Sequence, residues 1–187
     1  MARQMKLFNN KIKGAPANVN AHGGELTRGR RKAARPFDHS KSIHLVMRAS
    51  RAKGALSLLA GNRRSTIEKL VWKRAENYGV TIERFVNVGN HLHIMLKTKS
   101  SRYWPAKLAF QRFLKRIAGE IAFKIAGGRR GKAFGRFWDH LAYTRLVSWG
   151  RERANMLGYF ALNIFEAAGM LNRSMEPGAR AVVISSG

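Results

Sequence analysis

Residues 89–96 read GNHLHIML, and the fold turns on how this stretch is arranged. Histidines alternate with apolar residues, which is the period of a β-strand rather than of a helix. Successive strand side chains point to opposite faces of a sheet. His91 and His93 therefore share one face, while Leu92, Ile94 and Leu96 share the other. Two imidazoles side by side can hold one metal ion. The same spacing also suits a half-exposed polar pair, so the rest of the chain has to decide between them.

Working outward, residues 80–88 (VTIERFVNV) read as a preceding strand, and Gly89-Asn90 as a two-residue turn. Residues 91–98 should then return antiparallel to it. Residues 63–78 predict a helix, with Ser65 or Thr66 as cap, a stripe of Ile67, Leu70, Val71 and Ala75, and Gly79 as the stop. Residues 42–48 (SIHLVMR) alternate as a first strand; His44 lies on it and reads as structural.

After the central strand, Pro105 sits near the first turn of a helix reaching about Ile125. Leu108, Phe110, Phe113, Leu114, Ile117, Ile121 and Ile125 form its apolar face, and Lys107, Arg112, Lys115 and Arg116 its cationic one. Residues 127–135 (GGRRGKAFG) are a flexible basic loop, residues 137–147 a strand, and residues 152–168 a last helix ended by Gly169. The first six elements follow the split βαβ order. The predicted class is α+β, a ferredoxin-like core with an antiparallel sheet and two helices on one face, plus a C-terminal helix. Residues 1–38 are expected to form a flexible basic arm, 39–170 the domain and 171–187 a tail.

Charge narrows the partner. The 187 residues are 45% hydrophobic, enough for a core, yet Lys and Arg number 36 against 10 acidic residues, a formal charge of +26. Such a chain is expected to meet a polyanion, most often nucleic acid. No apolar run reaches the roughly 18 residues that span a bilayer, and the N-terminal stretch lacks the apolar core of a signal peptide. The expected setting is cytoplasmic, with no membrane partner. There is no cysteine. Zinc ribbons and thiol nucleophiles are excluded, and His, Asp, Glu, Asn or Gln must hold any metal, which favours Mg²⁺ or Mn²⁺. Candidate phosphate contacts are Arg28, Arg30, Arg31, Lys32 and Arg35 in the arm, the Lys107/Arg112/Lys115/Arg116 face, and Arg129 and Arg130 in the loop. A solubilising role suits the arm equally well.

The last helix holds Tyr159 and Asn163, four residues apart and hence on one face. A helical tyrosine is usually a packing residue. A mid-helix amide has weak propensity and needs a partner when buried.

His-Leu-His, then Phe-Trp-Asp-His at 137–140, then a helix with Tyr-x-x-x-Asn and Ala-Ala-Gly, resembles the HUH endonucleases. Within them the chain looks most like the REP-associated tyrosine transposases, over roughly residues 42–170. The resemblance implies that His91 and His93 are catalytic metal ligands, Asn163 the third ligand and Tyr159 the nucleophile. It also implies a divalent cofactor, Mg²⁺ or Mn²⁺, a covalent 5′-phosphotyrosine, single-stranded or hairpin DNA as partner, and a bacterial, nucleoid-associated setting. Family members are often dimers, so a homodimer is one of the states open to the chain. Two positions depart from the family: Val88-Gly89 stands where Met-Pro is common, and Ile164 where Pro often follows the amide. Neither change removes a chemical group.

Asp139 is a candidate to hydrogen-bond a ligating histidine. His140 is a candidate to pack beside Trp138 or to touch phosphate. Tyr103-Trp104 is the aromatic pair best placed to stack on unpaired bases. The alternative reading is a non-catalytic ferredoxin-like module binding RNA or DNA, including a ribosome-associated protein. Spatial convergence of His91, His93, Tyr159 and Asn163 discriminates between the two.

Overall fold

The alternating stretches become neighbouring strands in the computed structural model, which describes residues 20–28, 34–127, 136–168 and 170. Five strands form one sheet: β1 (Ala21–His22), β2 (Ser42–Arg48), β3 (Val80–Asn87), β4 (His91–Thr98) and β5 (Tyr143–Val147). Their order is β1-β5-β2-β4-β3, and every pairing is antiparallel. Without the short β1, the order β5-β2-β4-β3 is that of a ferredoxin-like sheet, as the element order predicts. Helices α1 (Arg63–Asn77) and α2 (Tyr103–Ala126) supply the two crossovers, and α3 (Arg151–Ala167) follows the last strand.

Strand parity divides the core in two. Leu92, Ile94 and Leu96 join Ile43, Leu45 and Met47 in a cluster with Ile67, Leu70 and Val71 of α1 and Phe110, Phe113 and Ile117 of α2. The opposite face carries Val86, Met95 and Val147, covered by Met156 and Phe160 of α3. Fully burying a side chain of this size contributes roughly 1.5–3 kcal/mol, so Met156 and Phe160 are the main apolar anchors of α3. The β3–β4 turn places Gly89 at φ 91°, where a side chain is disfavoured, and Asn87 Oδ1 accepts its N–H at 3.0 Å. Among the described residues no helix is long and apolar enough to cross a membrane.

Two sequence expectations need correction. The strand predicted over 137–147 is confined to Tyr143–Val147. Upstream, the side chains find partners off the sheet: Phe137 is buried in the core, Trp138 Nε1 donates to Ala118 O of α2 at 2.9 Å, and Asp139 accepts from Ser50. The basic arm of 1–38 is not uniformly a flexible tail either. β1 pairs with β5, through Ala21 opposite Arg145 and His22 opposite Thr144. A Cβ on Gly23 would lie 2.1 Å from Ala142 O, so only glycine permits this approach. Phe37 stacks on Phe110, with 6.1 Å between ring centres.

Candidate functional site

The sheet face beneath α3 carries the histidines. His91 and His93 both lie on it, as their spacing predicts, and both are buried. His44 of β2 joins them. It is fully buried, its ring lies nearly parallel to that of His93 with centres 5.5 Å apart, and its Nε2 is 3.3 Å from His93 Nδ1. The His91 and His93 rings are 4.6 Å apart. Asn90 Oδ1 lies 2.5 Å from His91 Nδ1. An amide oxygen only accepts, so this contact puts the proton on Nδ1 and leaves the Nε2 lone pair for a ligand. His44, which sequence reading sets aside as structural, thus belongs to the site. Its signal was available: SIHLVMR alternates as GNHLHIML does.

Burial, and secondarily the charge of Arg145, pushes the His44 pKa down to about 3. An unfolded imidazole titrates near 6.5. Between those values the unfolded chain binds a proton that the folded chain refuses, so this stabilisation is complete above about pH 6.5 and is lost as pH falls. Unfolding free energy should drop by about 2 kcal/mol between roughly pH 7.5 and pH 5. The carboxylates held below their ordinary range, Asp38, Glu120 and Glu152, act at lower pH and leave this window to histidine. Urea denaturation of the metal-free chain and of His44→Leu at both pH values checks this; equal losses in the two proteins would refute it.

Helix α3 brings the tyrosine. Polar ties fix its first turn to the sheet. Arg153 Nη1 reaches Ser42 Oγ at 3.1 Å and Glu83 at 3.0 Å, and Glu152 accepts from Ser148 N at 2.9 Å and pairs with Arg145 at 2.6 Å. Burial alone would raise the Glu152 pKa, but the Ser148 N–H and Arg145 outweigh it and hold the carboxyl below its ordinary range. Two turns on, the half-buried Tyr159 ring stands 5.3 Å from that of His93 and 6.1 Å from that of His44, edge to face in both cases.

One turn further, Asn163 is 1% exposed. Its Nδ2 donates to Tyr159 O at 2.7 Å, while its Oδ1 is buried and accepts no hydrogen bond from the described residues. A buried amide oxygen one turn beyond a tyrosine that stands on His93, taken with two imidazoles, is the kind of donor set that suits a divalent cation, so the chemistry of these residues fits the expected metal. Among the described residues no group of His, Cys, Asp and Glu alone could hold a metal ion; the third expected donor, Asn163, is an amide and lies outside those residue types.

The remaining candidates scatter. Asp139 does not reach a histidine: it accepts from Ser50 N at 2.9 Å and Ser50 Oγ at 2.6 Å and lies 3.7 Å from Arg48. His140 is half-buried beside Asp139. Arg35 is tied to the β5 edge: its guanidinium donates to Ala142 O at 2.9 Å and to Thr144 Oγ1 and is partly desolvated. Arg28 is exposed. Arg30, Arg31, Lys32, Arg129 and Arg130 lie outside the described residues.

Lys107, Arg112, Lys115 and Arg116 ride on α2, across the sheet from the histidines. Lys107 caps the Tyr103 and Trp104 rings at 5.2 and 5.1 Å, and Arg116 pairs with Glu120, which also binds Arg74 at 2.9 Å. Cations on the histidine face were missed. Arg48 is the direct cross-strand neighbour of His91. Lys97 shares the parity of His93, and with Arg153 it flanks the exposed Trp149 ring, at 5.7 and 4.7 Å. Parity with the histidines was the signal that could have found them.

Fold and site together define a ferredoxin-like domain with a buried histidine cluster under a C-terminal helix that carries a tyrosine. The solved structure of a REP-associated tyrosine transposase bound to a REP hairpin shares this fold: 10% identity, a TM-score of 0.54, 75% of this chain and 76% of that one covered. A candidate transposase from Deinococcus radiodurans R1 is similar at 13% identity and a TM-score of 0.41, over 71% of this chain and 98% of that one. No family model and no curated protein sequence matches the chain.

Proposed function

We propose that this chain is a metal-dependent, single-tyrosine DNA endonuclease and transposase acting on single strands beside hairpins. The observation that carries this reading is the Tyr159 ring standing on His93, on a helix whose next turn buries an amide oxygen with no partner among the described residues. His91, His93 and Asn163 would hold a divalent cation, Mg²⁺ or Mn²⁺. Bound there, the ion supplies positive charge for the scissile phosphate.

The chain's own part is nucleophilic and positional. Tyr159 Oη gives up its proton to solvent as it attacks phosphorus, the bond from phosphorus to the 3′-oxygen breaks, and that oxygen takes up a proton from solvent and leaves as a free 3′-hydroxyl. The strand stays joined to Tyr159 by a 5′-phosphotyrosine, which keeps the phosphodiester energy for rejoining. Tyr159 faces a histidine of its own chain, so a homodimer is not needed to complete the site. Hairpin DNA as the substrate is supported by the fold neighbour, which was bound to a REP hairpin, and by the formal charge of +26. With that charge, affinity should fall steeply with salt, and the bacterial nucleoid is the setting that suits it. A purely DNA-binding module would account for the charge and for Trp149, but it leaves the buried histidines and Asn163 without a role.

The test is covalent capture. Labelled single-stranded hairpin DNA from around the protein's own gene is incubated with the chain and Mn²⁺, then run on a denaturing gel. A protein–DNA adduct that disappears with chelator and with His91→Ala is expected. Salt-sensitive binding of every flanking hairpin with no adduct from any of them would overturn the reading.

A further inference from the structure

His44 is a third imidazole in the site, and neither the metal donor set nor the nucleophile uses it. It is wholly buried on β2, and its Nε2 meets His93 Nδ1 at 3.3 Å in nearly parallel rings. Of two neutral imidazoles in such contact, one must donate and the other accept. If His44 donated, His93 Nδ1 would accept and its proton would sit on Nε2, blocking the only other ring nitrogen. If His93 donates, its Nε2 keeps a lone pair for the site. His91 is already fixed in that second state by Asn90 Oδ1 at 2.5 Å.

We infer that His44 is a positioning residue that accepts the Nδ1–H of His93 and so keeps His93 Nε2 as an electron-pair donor facing the site. Two neighbours then set the two histidines alike: an amide oxygen for His91 and an imidazole nitrogen for His93. Hydrogen-bond partners of this kind orient a ligating ring and raise its basicity. This inference rests on the proposed role of His93 as a cation ligand.

The test begins without metal. In the uniformly ¹⁵N-labelled full chain, two-bond ¹H–¹⁵N correlations should report His93 as the Nδ1–H tautomer. Mn²⁺ titration followed by electron paramagnetic resonance then compares variants whose folding is checked by circular dichroism. His44→Leu cannot accept, and Mn²⁺ affinity should fall about 10- to 100-fold. The amide oxygen of His44→Gln reaches the position of the lost Nε2, so affinity should stay within about threefold of the parent, well inside that loss. A folded His44→Leu that binds Mn²⁺ like the parent overturns the inference. So does an Nε2–H His93 in a parent chain that binds Mn²⁺. If His44→Leu does not fold, the parent tautomer and His44→Gln decide. An Nδ1–H His93 in a chain that binds no Mn²⁺ supports the His44–His93 pairing and overturns the proposed function instead.

Discussion

Tyr159→Phe is expected to abolish covalent capture and strand cleavage, by at least about 10³-fold, while hairpin binding changes by no more than about twofold. The substitution removes one hydroxyl and nothing else. The ring contacts to His93, His44 and Phe160 are made by aromatic carbons and survive it. Tyr159 is half-buried at the surface of its cluster, so no large cavity opens and stability should move by less than about 1 kcal/mol.

A second phenol makes the experiment discriminating. The Tyr143 ring lies 6.4 Å from that of His44, on the same sheet face. Burial raises its pKa, Arg145 lowers it and Glu152 raises it again, and the net shift is upward. That upward shift disfavours the Tyr143 phenolate, and Tyr143→Phe should still form the adduct. Single-turnover gels with both variants decide: an adduct that survives Tyr159→Phe and vanishes with Tyr143→Phe would move the nucleophile to β5.

Local periodicity is what made most of this fold legible. β2 and β4 place apolar residues at alternate positions, Ile43, Leu45 and Met47 in one and Leu92, Ile94 and Leu96 in the other, and α1 and α2 repeat apolar residues at helical spacing, so their identity and order follow from short windows of sequence. The histidine pair and the Tyr159–Asn163 pair were legible for the same reason: each is a spacing within one element. What failed was non-local. Two residues of β1 have no period of their own, and they become a strand because β5, over a hundred positions away, offers an open edge. Arg35 looked like one more cation of a basic arm, yet it is tied to Ala142 and Thr144.

Phe137 and Trp138 have strand propensity but pack against the core and α2 instead. Their alternation carried no information about which surface they would meet. The contact of His44 with His93 was not legible, because a lone histidine on a strand says nothing about the neighbouring strand. Only the β2–β4 register, Val46 opposite His93, sets the two rings in contact. The same register places Arg48 beside His91 and moves attention from the α2 cations to those on the site's own face.

Asn163→Leu should make the metal-free chain more stable and the enzyme nearly inactive. Asn163 is 1% exposed, its Nδ2 is spent on the carbonyl of Tyr159, and its Oδ1 has no donor among the described residues. Leaving a buried polar atom unsatisfied costs about 1–3 kcal/mol, and leucine is a similar volume with a better helix propensity by a few tenths of a kcal/mol. A gain of about 1–2 kcal/mol in urea denaturation is therefore expected without metal. A polar group kept at such a penalty is a signature of a site built for something else. Cleavage should fall by about 10²-fold, the usual consequence of losing one group that supports developing charge.

Mn²⁺ gives the sharper readout. A ligand that binds only the folded state stabilises it by about 2.7 kcal/mol at a hundred times its dissociation constant. The parent should gain by that mechanism and the leucine variant should gain much less, so the order of stabilities inverts between chelator and saturating Mn²⁺. An Asn163→Leu chain that is less stable than the parent under both conditions would make Asn163 a structural amide. The donor set would then contract to the two histidines, and the third position would have to be filled by solvent or by DNA itself.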